Sequence, residues 1–204
     1  MAAGIKDKVA ILGVGCSKFG ERWDASPEDL MVEAYNEAMA DAGITWNDVQ
    51  YAFGGSHAAG NADTMVSKLG LSGLPFINVA NGCATGGSAL ISSYNAIKAG
   101  AADVVMAIGF DKHPRGAFDP DPAEYGLEKW YGDSGLMLTT QFFGMKIQRY
   151  MHEHGITRST LAKVAVKNFA NGSKNENAWR RKPMSEDEVL NAAMLSDPLT
   201  QYMF

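Results

Sequence analysis

The sequence predicts an α/β fold in its first part and a mainly helical module in its second. Three observations carry that reading. Up to about residue 110, short apolar runs alternate with helical periodicity, the pattern of crossover units on a parallel sheet. Asn and Gly pairs punctuate those runs as turn signals. At Asp111 the pattern changes: His113-Pro114-Arg115-Gly116 and Asp119-Pro120-Asp121-Pro122 mark a loop, and helical periodicity dominates after it. The expected domains are therefore residues 1–110 and 111–204.

Residues 8–14 run apolar after Lys8, with β-branched members, which predicts a first buried strand. Gly13-Val14-Gly15 lacks the third glycine of a dinucleotide-binding turn, so a Rossmann cofactor site is not indicated. Ser26-Pro27-Glu28-Asp29 opens a helix with a cap, a proline and acids in the first turn, and Gly43 closes it. Residues 49–53 predict a second strand that ends at Gly54-Gly55. His57 follows in a loop of small residues, where nothing nearby pairs with it as a site base. Residues 63–71 read as a short helix. Residues 75–79 predict a third strand that runs into Asn81-Gly82. Cys83 comes next, and Leu90, Ile91, Tyr94 and Ile97 then form one apolar helix face. Residues 103–108 predict a fourth strand. The order is βαβαβαβ, with right-handed connections.

In the second part, residues 133–154 read as one long helix through Leu136, Thr140, Phe143, Ile147, Tyr150 and Met151. His152 and His154 are two apart, so they face different ways and do not share a metal. Asp119 and Asp121 lie in a proline-rich turn without further ligands. No metal site is expected. A second helix runs from Thr157 or Ser159 to Phe169. Ser185 and Glu188 form a capping box that opens a third, and Asp197-Pro198 stops it.

Composition narrows the function class. The 204 residues are 46% hydrophobic and 20% charged, with a net charge of -5 and no basic block, so nucleic acid is not an expected partner. No apolar run reaches membrane-spanning length and the N-terminus carries no secretory h-region, which makes the cytoplasm the default. Two cysteines do not make a disulfide framework, and Asn171-Gly172-Ser173 is disregarded as a glycosylation acceptor without a secretory signal. Eleven methionines suit either an adaptable core or a deformable apolar pocket.

The chemistry centres on Asn81-Gly82-Cys83-Ala84-Thr85-Gly86-Gly87. With Asn81 as N-cap, Cys83 falls in the first helical turn, where free N–H groups and the dipole favour a thiolate. The dipole is worth roughly 0.3–1 kcal/mol and up to ~2 when partly buried, so the thiol still needs a base. Read alone, such a cysteine is a small packing residue at a strand–helix junction. The residues around it reverse that balance.

This stretch resembles the cysteine motif of the thiolase superfamily, specifically the sterol-carrier-protein/lipid-transfer type. The likeness extends along the chain. Val9-Ala10-Ile11-Leu12-Gly13-Val14-Gly15 with Lys18-Phe19-Gly20 resembles the family's first strand and turn. The run from Ala102 through Gly109-Phe110-Asp111-Lys112 resembles the strand after the cysteine helix. Gln141-Phe142-Phe143-Gly144, Tyr150-Met151, Val164-Ala165-Val166-Lys167-Asn168, Arg181-Lys182-Pro183 and Ser196-Asp197-Pro198-Leu199 resemble the family's covering segment.

The resemblance implies a layered thiolase half with a mixed or parallel sheet, followed by a helical loop domain that helps bind CoA and the acyl chain. It implies reversible CoA-dependent cleavage of a 3-ketoacyl-CoA through an acyl-cysteine. Cys83 is the implied nucleophile and its backbone N–H an oxyanion donor. Tyr131, Met137, Met145, Trp179, Arg180 and Arg181 are the implied substrate-binding candidates. Coenzyme A is a substrate and no resident cofactor is implied. In the family a second half carries the base histidine in a Gly-His-Pro-like motif, a second cysteine and the remaining oxyanion donors. None of these motifs occurs in the 204 residues, which fits the first half of a split enzyme with a second chain as partner, a cleaved fragment, or part of a longer chain. A homodimer or tetramer, or an acyl-CoA-binding partner, is also implied. Two alternatives stand beside this reading: a retro-aldolase acting on steroid CoA-thioester side chains, and a non-catalytic acyl-CoA- or lipid-binding subunit. Ketosynthases share the fold, but the covering segment matches thiolases better.

Overall fold

The computed structural model describes residues 7–55, 63–70, 73–113 and 121–204. It divides into two compact units, Met1–Lys112 and His113–Phe204.

The first unit is built on a three-stranded parallel sheet of order β2-β1-β3, with β1 at Tyr51–Gly55, β2 at Phe76–Asn78 and β3 at Val105–Gly109. Helices α2 (Asp63–Leu69) and α3 (Thr85–Lys98) fill the two crossovers, and α1 (Pro27–Ala42) precedes β1 and packs against α2 and the sheet. Side chains alternate between the faces of a strand. Phe76, Met106 and Ile108 turn to one face, where Met31 of α1 and Met65 of α2 complete a buried cluster with Phe110. Gly55 has the opposite parity and meets α3. The α/β class and the parallel sheet are as the sequence predicts.

Helix α1 shows why local sequence fixes an element. Ser26 Oγ accepts from Asp29 N, Asp29 Oδ2 accepts from Ser26 N, Pro27 sits at the start, and Gly43 at φ 66° ends the helix. Lys68 of α2 then pairs with the other Asp29 oxygen at 3.0 Å.

The predicted first strand is absent, which reduces βαβαβαβ to three strands. Residues 8–19 belong to no strand, and Ile11, Leu12 and Val14 are 72%, 56% and 64% exposed. The reason lies in their partners. Val14 N and Cys16 N each donate to a carboxylate of α1, Asp41 and Glu37 respectively, both at 2.9 Å, rather than to a neighbouring strand. Gly13 and Gly15 face α1 so closely that a Cβ on Gly15 would sit 2.0 Å from Ala34 O. The glycines the sequence offered as a broken nucleotide turn serve helix contact.

In the second unit, the expected long helix over residues 133–154 is two helices, α4 (Trp130–Asp133) and α5 (Thr139–His154). Gly135 at φ 76° ends α4: its N–H bonds Gly132 O, and Leu136 N bonds Tyr131 O. Helix α6 (Arg158–Gly172) follows, and α7 (Glu186–Leu190) opens with the Ser185–Glu188 capping box. Ala162, Ala165 and Val189 form the core between α6 and α7. Helix α7 stops at Leu190, well before Asp197-Pro198. A short antiparallel pair follows, with β4 (Met194–Ser196) in the region read as helical and β5 (Leu199–Thr200) beyond Asp197-Pro198. Thr200 is fully buried and its hydroxyl donates to Val189 O at 2.7 Å, so the pair is anchored on α7. Among the described residues no helix is long and apolar enough to cross a membrane.

Candidate active site

The turn between β2 and α3 carries Cys83. The chain leaves the sheet at Val79, whose N–H bonds Gly54 O at 2.6 Å. Gly82 takes φ 52°, a left-handed conformation that suits glycine. Ala84 N then bonds Asn81 O at 3.0 Å and Thr85 N bonds Gly82 O at 3.1 Å, closing two turns around the cysteine. Cys83 is exposed and free of any disulfide.

The helix starts later than predicted. Its first residue is Thr85 and its N-cap is Ala84, which gives no side-chain cap bond. Cys83 therefore lies ahead of the helix rather than in its first turn, and Asn81 is not the cap. The Asn81 amide donates instead to Ser88 Oγ at 3.0 Å. The cause is the Thr85 hydroxyl, which bonds back into the turn: it accepts from Asn81 N at 2.9 Å and donates to Gly82 O at 2.7 Å. Residues 81–84 are thus spent on the turn. The other cysteine, Cys16, also forms no disulfide, and partial burial followed by the Glu37 charge pushes its thiol above the ordinary value. That disfavours its thiolate.

The second unit holds a groove of about 900 Å³ lined by α5, α6, residues 179–180 and the last residues of the chain. That volume falls in the range of small-molecule sites, about 300–1,000 Å³. Phe143, Ile147 and Tyr150 of α5 face Leu161, Val164 and Asn168 of α6 across it. Its only charged lining residues are cationic. Lys146 Nζ lies 4.3 Å from the Phe142 ring centroid, and the Arg180 guanidinium 5.8 Å from that of Tyr202.

Of the six substrate-binding candidates, Trp179 and Arg180 line this groove. The other four do not. Tyr131 lies in α4 against Trp130, Met137 is half-buried ahead of α5, Met145 is 47% exposed on α5, and Arg181 is exposed. Phe143, Ile147 and Tyr150 recur at helical spacing, which in the sequence marks only a long helix. Their spacing was the signal, but Phe143 and Tyr150 are half-exposed on the groove. His57 and Asp119 lie outside the described residues. Asp121 accepts from Ala123 N as the cap of a short 3-10 turn, and among the described residues no group of His, Cys, Asp or Glu is arranged to hold a metal.

Residues 9–182 match the family described as "Thiolase, N-terminal domain". The chain is 34% identical to an acetyl-CoA acetyltransferase of Methanothermobacter thermautotrophicus, covering 94% of this chain and 52% of that protein. It is 34% identical to sterol carrier protein 2 of Gallus gallus, covering 98% of this chain and 39% of that protein. Among solved structures it is similar to the "Ltp2-ChsH2(DUF35) aldolase", with TM-score 0.76 and 27% identity, over 95% of this chain and 51% of that one. The chain thus spans about half the length of these relatives, or less. The family match covers most of the chain, and the chain belongs to the thiolase family.

Proposed function

We propose that the protein is a thiolase-type acyltransferase and that this chain supplies its nucleophile. The observation that supports this most directly is Cys83, exposed on a tightly bonded turn between a parallel strand and a helix, in a chain of the thiolase family. The Sγ thiolate adds to the keto carbon of a 3-ketoacyl-CoA. The bond between the keto carbon and C2 breaks, its electrons pass to C2, and C2 takes a proton as acetyl-CoA leaves. The acyl group stays on Sγ as a thioester. The thiol of a second CoA adds to that carbonyl, and a shortened acyl-CoA departs as the Cys83 thiolate is restored. The Cys83 backbone N–H is our choice for one oxyanion donor. Among the described residues no His, Asp or Glu hydrogen-bonds the thiol, so the reaction needs a base from elsewhere.

We assign the groove of the second unit to the CoA thioester. Its apolar walls suit an acyl or pantetheine chain, and Lys146 and Arg180 suit phosphate. We also place β2 at a homodimer contact, since its outer edge has no partner strand among the described residues and Ile77 is 43% exposed.

The test is release of CoA from butyryl-CoA by the purified protein, followed as free thiol. Cys83→Ala abolishes release and Cys16→Ala leaves it intact; equal release by Cys83→Ala sinks the proposal. A second reading, aldol cleavage of a CoA thioester with a partner chain, is favoured by the likeness to the aldolase. It predicts carbon–carbon cleavage that survives Cys83→Ala.

A further inference from the structure

Thr85 occupies an unusual place beside Cys83. Its hydroxyl engages both backbone groups that frame the cysteine turn, accepting from Asn81 N at 2.9 Å and donating to Gly82 O at 2.7 Å. Its methyl packs against the end of β1. A Cβ added to Gly55 would lie 1.9 Å from Thr85 Cγ2 and 2.4 Å from Val79 O. Gly55 is therefore bare because Thr85 and the β2 exit fill the space where its side chain would stand. One residue thus joins three elements: the C-terminal end of β1, the exit of β2 and the start of α3. The hydroxyl is bound to the turn that carries the thiol, and the methyl is bound to the sheet.

We propose that Thr85 is a positioning residue that registers the Cys83 turn against the sheet, with Gly55 as its socket. The proposal rests on the reading of Cys83 as the acyl-accepting nucleophile. Neither Thr85 nor Gly55 touches the reacting atoms; both act through the backbone of residues 81–83. A turn left free at the residue before the nucleophile moves Sγ and the adjacent N–H together. Displacement of about 1 Å costs on the order of 100-fold where a reacting atom must meet an oriented carbonyl. A small alkylating agent has no such demand. The two kinds of reagent therefore separate positioning from loss of fold.

The experiment compares Thr85→Val, Thr85→Ser and Gly55→Ala in the protein as it occurs, together with the segment or chain that supplies the base. Acyl transfer from butyryl-CoA to Cys83 and alkylation of Cys83 by iodoacetamide are both followed by mass spectrometry, with Cys16 as the internal reference thiol. Thr85→Val keeps the shape and loses the hydroxyl. It is expected to slow acyl transfer tenfold or more while alkylation of Cys83 relative to Cys16 changes less than threefold. Thr85→Ser restores acyl transfer to within about threefold. Gly55→Ala, which keeps the hydroxyl and crowds the methyl, slows acyl transfer as Thr85→Val does. The proposal is overturned if Thr85→Val transfers at the wild-type rate, or if Thr85→Ser is as slow as Thr85→Val. If the wild-type chain takes no acyl group, the reading of Cys83 fails, and the clamp is decided separately by amide exchange. Protection of Asn81 N–H must then fall at least tenfold in Thr85→Val and persist in Thr85→Ser; unchanged protection refutes the clamp.

Discussion

Asp29 is the residue whose charge the first unit uses most directly. The Ser26 N–H, foremost, and the Lys68 ammonium hold its carboxyl at about 2, below the ordinary carboxylate range. A depressed acid contributes stability that is complete above its unfolded value of about 4 and is lost as pH falls through the folded value. The wild type should therefore lose more stability than Asp29→Asn between about pH 4 and about pH 2, measured by urea unfolding across that window. Parallel curves would show that the cap and the Lys68 pair are not formed in solution. Gly15 makes a second prediction at this scale. Gly15→Val puts a branched side chain where Ala34 O already stands within 2.0 Å of a Cβ position. We expect a loss of about 1–3 kcal/mol, the usual cost of overpacking. An unchanged melting temperature would mean the segment does not lie on α1.

At the scale of elements, the outcome depended on whether an element carries its own signal. Helix α1 does: cap, proline, first-turn acids and closing glycine are all local, and the helix begins and ends where they place it. The same holds for the Ser185 box of α7. Strands are different, because a strand exists only if a neighbour accepts its ladder. Residues 8–14 have the composition of a buried strand, yet the N–H of Val14 at its end and that of Cys16 just beyond go to carboxylates on α1. Nothing in those residues announces that Asp41 and Glu37 capture the ladder. Leu12→Lys discriminates the two readings. At 56% exposure it should change stability by no more than about 0.5 kcal/mol, whereas a buried strand would be strongly destabilised. The break between α4 and α5 was visible only as Gly135 inside a helical pattern, which the apolar periodicity overrode. At the site, the motif around Cys83 was legible. The start of α3 was not, because the Thr85 hydroxyl and not the Asn81 side chain determines where the turn ends.

The whole chain comprises two compact units, each with its own buried cluster: Met31, Met65, Ile108 and Phe110 in the first, Ala162, Ala165 and Val189 in the second. Met31→Ala should cost about 2–5 kcal/mol, read by urea unfolding of the chain, since Met31 is fully buried in the first cluster. Groove lining in the second unit was hard to see from sequence because a half-exposed apolar face and a core face share one periodicity. The central claim is that Cys83 is the acyl-accepting thiol. Its most direct measurement is intact-mass analysis of the protein after exposure to butyryl-CoA, followed by peptide mapping of the adduct. The account predicts one acyl group per chain, on Cys83, with Cys16 unmodified. No adduct, or an adduct on Cys16, would contradict it.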